Sequence, residues 1–177
     1  MKIGILADTH VPDLLPALPP RVLELLNGVD IILHAGDVCD LAVLQRLEPI
    51  AQTFAVFGNR DSAEVKKFLQ EKQRLEFGNR AIGLIHGHRA WAGNPLTSAL
   101  HLLDRPRRLG TLYASVLREF SDVDVIVFGH SHEPYFKMHG SVLLFNPGAV
   151  AARRGQPGTL GILEIVPNAI KGRIVQI

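Results

Sequence analysis

The chain opens with MKIGILADTH (residues 1–10), in which an apolar run at residues 3–7 stops abruptly at Asp8. A short apolar run of this kind is typical of a buried β-strand, and it is too short for a signal-peptide core or a membrane span. We therefore predict a first buried strand whose end delivers Asp8 and His10. Because later apolar runs end in the same way, this stretch sets the pattern for the predicted fold.

Polar clusters follow the other predicted strands as well. Residues 30–34 and 53–57 are apolar runs, residues 73–85 are predicted to form a hairpin around Gly78-Asn79, and residues 123–128 form a further strand. With the first strand, these runs lead into Asp8-x-His10, Gly36-Asp37, Gly58-Asn59, His86-Gly87-His88 and Gly129-His130-x-His132. Ligands usually bind at the carboxyl ends of strands in α/β sheets, so we expect the clusters to lie together.

Helices are predicted between the first strands. Residues 19–26 carry two prolines suited to a first helical turn, and residues 40–47 have helical spacing with Asp40 as a plausible N-cap. The order is strand–helix–strand–helix–strand, followed by a largely β second half, which predicts an α/β protein. We expect one domain over residues 1–177, with an excursion at residues 89–121 that contains a helix over 111–120.

Composition restricts the function classes. A net charge of +2 is too small to indicate nucleic-acid or membrane binding. The only cysteine, Cys39, cannot form an intramolecular disulfide, which is compatible with a cytoplasmic location. Short arginine clusters such as Arg105, Arg107 and Arg108 usually lie on a solvated surface. We expect a small-molecule substrate, and the oligomeric state stays open.

The five polar clusters offer carboxylate, amide and imidazole groups and no thiolate. This mixture suits Mn, Fe or Zn, and it suits a hydrolytic two-metal centre better than a calcium site built from oxygen ligands alone. Each cluster taken alone is also an ordinary turn or loop sequence. Five such clusters, each at the end of an apolar run, are difficult to explain as turns.

The ordered set of clusters resembles the calcineurin-like metallophosphoesterase superfamily, and in particular its small single-domain prokaryotic phosphodiesterases. Phe145-Asn146-Pro147-Gly148, followed by Arg154, is similar to the C-terminal signature of that group. The resemblance covers nearly the whole chain apart from residues 89–121. It implies a four-layer αββα sandwich, in which two mixed β-sheets face each other and helices cover both outer faces.

The resemblance also implies a site. It assigns one divalent ion to Asp8, His10, Asp37 and His132, and a second to Asp37, Asn59, His86 and His130. Asp37 would bridge the ions, Asp37, Asn59 and His88 would be catalytic, and Arg60, His88 and Arg154 would face the substrate. His34 would support Asp37, although simple buried packing explains it equally well. Mn is the expected metal, with Fe, Zn, Ni and Mg as alternatives.

The implied reaction is hydrolysis of a phosphate ester by in-line attack of a hydroxide that bridges the two metals. One position departs from the pattern, because many members carry His or Cys where this chain has Arg60. Arginine stays protonated in proteins and cannot act as a general acid at neutral pH. Arg60 would therefore orient the substrate phosphate, or else pair with Asp61 as a structural residue.

Three functions are compatible with these residues. A phosphodiesterase is the expected one, and a phosphomonoesterase or nucleotide pyrophosphatase with the same site is an alternative. A non-catalytic interaction scaffold is a third, since the retromer scaffold subunit has the implied fold. For residues 89–121 we expect a lid over the site, a subunit contact, or leucines that pack on the flank of the domain itself.

Overall fold

Two five-stranded β-sheets face each other in the computed structural model, which describes residues 1–91, 104–151 and 155–177. In chain order the elements are β1 (Lys2–Leu6), α1 (Pro20–Leu26), β2 (Ile31–His34), α2 (Ala42–Leu47), β3 (Gln52–Ala55), α3 (Ala63–Phe68), β4 (Lys72–Phe77), β5 (Arg80–Ile85), a 3₁₀ turn (His88–Trp91), α4 (Arg105–Arg118), β6 (Val125–Val127), β7 (Pro134–His139), β8 (Val142–Pro147), β9 (Thr159–Val166) and β10 (Ala169–Gln176).

Both sheets are mixed. The first has the order β10-β9-β1-β2-β3, with β1, β2 and β3 parallel and β9 antiparallel to both of its neighbours. The second has the order β4-β5-β6-β8-β7, with β5, β6 and β8 parallel and the two edge strands antiparallel. The predicted α/β class and the two mixed sheets are confirmed.

The register of the parallel strands aligns the polar clusters. Leu6 lies opposite His34, and His34 lies opposite Ala55, so β1, β2 and β3 end at nearly the same level. In the second sheet Leu84 lies opposite Val127, and Val127 lies opposite Phe145. The loops that leave these ends carry the five clusters, which explains why residues distant in sequence meet.

Three apolar clusters produce the four layers. The central cluster joins the inner faces of the two sheets, and it includes the fully buried Ile5, Leu84 and Phe145. A second cluster packs α1 and α2 on the outer face of the first sheet, and a third packs α4 on the outer face of the second. Burial of this apolar surface is the main favourable term in folding.

The predicted helix boundaries need three corrections. Helix α2 begins at Ala42, and Leu41 holds the N-cap position instead of Asp40, although the Asp40 carboxylate accepts a hydrogen bond from the Ala42 N–H at 2.8 Å. Helix α3 was not predicted, because six residues carry too little periodicity. Helix α4 begins at Arg105 instead of residue 111, because Asp104 caps it by accepting a hydrogen bond from the Arg107 N–H.

The returning limb of the predicted excursion packs on its own domain. Leu112 and Val116 of α4 are almost fully buried against the second sheet, in the cluster that contains Phe128. The exposed Arg105 forms a two-point ion pair with Glu133, at 2.9 and 2.8 Å. Residues 92–103, with Leu96, Leu100, Leu102 and Leu103, and the side chain of Trp91 lie outside the described residues. No helix in the described part is long and apolar enough to span a membrane.

Replacing Leu112 tests whether α4 belongs to the core. Leu112→Ala should lower the free energy of unfolding by about 3 kcal/mol, because it removes a buried side chain and leaves a cavity. The matched control is Leu14→Ala, since Leu14 is 60% exposed. Urea denaturation measures both variants. Equal midpoints for the two would show that α4 does not stabilise the domain.

Candidate metal centre

Asp8, His10 and His132 form the first group of potential ligands. Asp8 Oδ1 lies 3.3 Å from His132 Nε2 and 3.8 Å from His10 Nε2. The two Nε2 atoms are themselves 3.2 Å apart, and their rings stack. Three donor atoms from two strand ends thus face one another, and all lie within 4.8 Å.

Asp8, Asp37 and His86 form the second group, again with one donor atom each within 4.8 Å of the others. Asp37 Oδ2 lies 3.3 Å from His86 Nε2 and 3.7 Å from His10 Nε2. This oxygen therefore contacts a histidine of each group. The His86 ring is oriented by a hydrogen bond of 2.8 Å between Nδ1 and the Ala35 carbonyl, which directs Nε2 at the cluster.

The remaining predicted ligands are His130 and Asn59. The His130 N–H donates to Asp8 Oδ2 at 3.1 Å, and its ring centroid is 5.0 Å from that of His86. Asn59 is exposed, and its side-chain amide makes no hydrogen bond to any described residue. Its neighbours nevertheless surround Asp37, because Gly58 abuts the carboxylate and the Arg60 N–H donates to Oδ1 at 2.8 Å.

The three residues predicted to face the substrate, His88, Arg60 and Arg154, differ in their positions. His88 is half-buried at the edge of the cluster, 5.6 Å from His86 between ring centroids, and its Nε2 lies 3.9 Å from Glu71 Oε1. The Arg60 side chain is exposed and makes no ion pair within the described ranges. Arg154 lies outside the described residues, so the structure does not place it.

Strained backbone marks the candidate ligands. Among the described residues with positive φ that are not glycine, five are predicted metal ligands and the other is Cys39. The five are Asp8 (54°), His10 (46°), Asp37 (54°), His130 (69°) and His132 (59°). This conformation costs an L-residue roughly 1–2 kcal/mol, so it persists only where the surrounding structure enforces it. Its concentration at strand ends favours a functional site.

Two glycines let the loops close around the carboxylate and the histidine. A Cβ at Gly58 would lie 2.2 Å from Asp37 Oδ1, and a Cβ at Gly36 would lie 2.7 Å from His86 Nδ1. Gly36 also has a φ of 90°. No other residue fits at these positions without displacing a predicted ligand.

Two positioning residues were missed by sequence reasoning. Asp61 is buried and accepts backbone hydrogen bonds from the N–H groups of Asp37 (3.1 Å), Cys39 (2.5 Å) and Gly58 (2.6 Å). It therefore ties the loop of Asp37 to the loop of Asn59. The hypothesis that Asp61 pairs with Arg60 is wrong, because backbone donors occupy its carboxylate.

Asn146 holds the loop that carries His130 and His132. Its fully buried amide donates to the Gly129 carbonyl at 2.8 Å and to Ser131 Oγ at 3.1 Å, while its oxygen accepts from the Gly148 N–H. These bonds fix the loop that presents His130 and His132. The sequence signal was the Asn-Pro-Gly motif itself, to which the sequence alone gave no role.

The charges at the cluster are strongly coupled. Burial alone would raise the pKa of the Asp37 carboxyl group. The contacts of this carboxylate with His86 and with the Arg60 N–H outweigh burial and hold the pKa well below its usual range. Burial also opposes the His86 imidazolium, yet Asp37 and Asp8 raise its pKa to about 9. For His130, burial and the nearby His86 lower the pKa to about 3. At neutral pH the metal-free cluster therefore holds a protonated His86 beside Asp37.

His34 and Cys39 support the cluster from behind. Burial lowers the pKa of His34 to about 4, and its Nε2 lies 3.1 Å from Thr9 Oγ1, which in turn lies 3.3 Å from the Asp37 carbonyl. Burial and the nearby Asp61 raise the pKa of the Cys39 thiol to about 12, so its sulfur, 3.7 Å from His10 Nδ1, is not a thiolate.

The donor set fits divalent cations. Within residues 1–91, 104–151 and 155–177, the ion-pair contacts of Asp8 and Asp37 are with histidines, and none is with Lys or Arg. Asp8 Oδ1 and His86 Nε2 are buried and have no hydrogen-bond partner there. Buried carboxylates need compensating positive charge, and oxygen and imidazole donors suit hard or borderline metals.

Comparisons with known proteins agree with this class of site. A model of the calcineurin-like phosphoesterase superfamily domain matches residues 1–168. A probable metallophosphoesterase of Methanocaldococcus jannaschii is 34% identical over 154 residues, which cover 87% of this chain and 70% of the relative. The phosphodiesterase YfcE of Escherichia coli K12 is 30% identical over 193 aligned positions, covering 93% and 88% of the two chains.

Solved structures show the same architecture. Vps29 of Entamoeba histolytica, complexed with Zn²⁺, superposes with a TM-score of 0.68 at 25% identity over 99% of each chain. An archaeal phosphodiesterase gives the same TM-score and identity, over 99% of this chain and all of its own. Fold and cluster define a metallophosphoesterase-type α/β protein. The chain belongs to the calcineurin-like phosphoesterase superfamily.

Asp61→Asn tests whether Asp61 holds the two loops together. The new amide would place an N–H₂ group against backbone N–H donors, so we expect a loss of about 1–3 kcal/mol in the free energy of unfolding. Mn²⁺ affinity should fall at least tenfold, as is usual when the support of a ligand is removed. Asp122→Asn is the control, because Asp122 is exposed. If Asp61→Asn is folded and calorimetry shows an unchanged Mn²⁺ affinity, Asp61 does not position the ligand loops.

The raised pKa of His86 predicts proton release on metal binding. Below pH about 9 the metal-free protein carries the extra proton on His86, and a cation that takes Nε2 must displace it. We expect release of about one proton at pH 7.5, and Mn²⁺ affinity that rises with pH and levels off above pH 9. Calorimetry in buffers of different ionisation enthalpy measures this release. His139→Gln should leave the proton release unchanged. If the wild type releases no proton when it binds Mn²⁺, His86 is not a metal ligand.

Proposed function

We propose that this protein is a metal-dependent phosphodiesterase that hydrolyses a small phosphoester. The observation that carries the proposal is the pair of buried carboxylates, Asp8 and Asp37, flanked by imidazoles and lacking a Lys or Arg partner in the described part of the chain. Relatives named phosphodiesterase support the diester preference. A phosphomonoesterase or nucleotide pyrophosphatase with the same site is the alternative outcome of the test below.

The ligand assignment is the one that the family resemblance implies. Asp8, His10 and His132 would hold one ion, and His86, His130 and Asn59 would hold the other. Asp37 would serve both, because its Oδ2 atom lies between His10 Nε2 and His86 Nε2. Carboxylate, amide and imidazole donors without a thiolate favour Mn, and they also accommodate Fe, Zn, Ni or Mg.

Two divalent ions, when bound, act as Lewis acids on phosphate oxygens and lower the pKa of a coordinated water. The chain itself supplies orientation. Asp61 and Asn146 fix the loops that carry the ligands, so the site is rigid before substrate arrives. Asn59 would add an oxygen ligand without adding charge.

Arg60 and His88 would act on the substrate. The Arg60 guanidinium is exposed, while its backbone is anchored to Asp37, so the side chain can reach a phosphate oxygen at the rim of the cluster. Its planar donors suit such an oxygen. His88 borders the cluster on the side of Glu71, where it would orient one ester group of the substrate. Arg154 would be a further phosphate ligand, because it follows the Asn146-Pro147-Gly148 motif in the sequence.

An interaction scaffold is the second candidate, and the likeness to Vps29 favours it. A scaffold has no need to keep every ligand position filled, whereas this chain carries a carboxylate, amide or imidazole at each one. The left-handed backbone at five of these positions also favours a functional site, since such strain clusters at active sites and ligand clamps.

Asp37→Asn tests the proposed function. The variant keeps the size of the side chain and an acceptor for the Arg60 N–H, so the fold should survive. Removing the shared carboxylate charge should lower Mn²⁺-dependent hydrolysis of bis(p-nitrophenyl) phosphate by at least 100-fold. Asp122→Asn is the matched control, and p-nitrophenyl phosphate compares diester with monoester. Wild-type turnover by Asp37→Asn would contradict the metal assignment. An inactive wild type would favour the interaction scaffold.

A further inference from the structure

A cavity of about 340 Å³ lies directly beside His132. We propose that it binds the ester substituent that stays on the phosphate, and that this substituent is an uncharged, hydrogen-bonding group of about nucleoside size. The inference rests on the proposed phosphodiesterase function and narrows its substrate class. The cavity volume falls in the range of roughly 300–1,000 Å³ that small-molecule sites occupy.

The lining of the cavity combines apolar surface with uncharged polar side chains, and it carries no Asp, Glu, Lys or Arg among the described residues. Beside His132, it consists of Pro134, Ala149, Gln156, Pro157, Thr159 and Gln176. The two glutamine amides offer donors and acceptors, and the threonine hydroxyl offers both. The two prolines add apolar surface. Such a lining recognises a ring or sugar with several hydrogen-bonding edges.

The position of the cavity relates it to the reacting phosphate. The Nε2 atom of His132 lies 3.3 Å from Asp8 Oδ1, in the cluster, and His132 also lines the cavity. A group in the cavity therefore lies next to a predicted metal ligand. That proximity suits a substituent joined to phosphorus through an ester oxygen. A phosphomonoester would have no second substituent to place there.

A second cavity borders the cluster through His88, and its lining differs in charge. It contains Glu71, Lys72, Arg89 and Glu119, and these side chains already pair with one another. Its volume is only about 120 Å³. The larger cavity beside His132, whose described lining carries no Asp, Glu, Lys or Arg, is therefore the better site for a neutral polar substituent.

Two lining residues of the larger cavity, Thr159 and Gln176, are held by the sheet. Thr159 lies opposite Gln176 in the β9–β10 ladder, and the Thr159 N–H donates to the Ala149 carbonyl at 2.8 Å. The Ile177 N–H donates to the Gly158 carbonyl at 2.9 Å. Side chains mounted on strands lose little conformational freedom on binding, which favours a specific subsite.

Two substrates with one leaving group test the proposal. Thymidine 5′-(p-nitrophenyl) phosphate and methyl p-nitrophenyl phosphate release the same phenolate, but only the first can fill the cavity. With Mn²⁺ present, the wild type should show a KM at least tenfold lower for the thymidine ester. Gln176→Ala and Gln156→Ala should each raise that KM about fivefold, the worth of one hydrogen bond, and leave the methyl ester unchanged. Gln52→Ala, an exposed glutamine elsewhere, is the control.

A binding measurement separates this inference from the proposed function. Thymidine titrated into the metal-free protein should shift the side-chain amide NMR signals of Gln156 and Gln176, and leave that of Gln52 in place. Failure to hydrolyse either diester would overturn the phosphodiesterase assignment. Equal KM values for the two esters, or no shift at Gln156 and Gln176, would overturn the subsite.

Discussion

The burial of two carboxylates at the ends of neighbouring strands is the constraint on which the site depends. Asp8 and Asp37 are almost fully buried, and in the described part of the chain only histidines approach their oxygens as ion-pair partners. Buried negative charge is costly unless it is compensated. In the metal-free protein the protonated His86 compensates part of it, and divalent cations, which would displace that proton, would compensate this charge in its place.

The remaining features of the site follow from placing these charges where the backbone must turn. Glycines at positions 36 and 58 admit His86 and Asp37 at distances that a side chain would block. Left-handed backbone occurs at five candidate ligands, in the loops that follow β1, β2 and β6. Asp61 and Asn146 then join the loops through main-chain hydrogen bonds, so that strain at the ligands is balanced by bonds at their neighbours. The sheet also holds two residues of the cavity beside His132, Thr159 on β9 and Gln176 on β10.

The sequence predicted the parts of this arrangement that depend on local pattern. Apolar runs located strands such as β1 and β6, and the polar residues after them proved to be neighbours because parallel strands end at one edge. The role of Asp61 could not be predicted, since its partners at positions 37 and 39 are brought to it only by the folded sheet. The start of α4 was misplaced because an Arg-Pro-Arg-Arg run has little apolar periodicity. The candidate ligands could therefore be predicted from the sequence, whereas the residues that position them, such as Asp61, could not.

We propose that the two groups of ligands form one site for two divalent ions that share Asp37. The most direct measurement is anomalous diffraction at the Mn absorption edge, from crystals of the protein grown with Mn²⁺. We expect two anomalous peaks, one beside His10 and His132 and one beside His86, with the Asp37 carboxylate in contact with both. A single peak, or two peaks of which neither touches Asp37, would contradict the account.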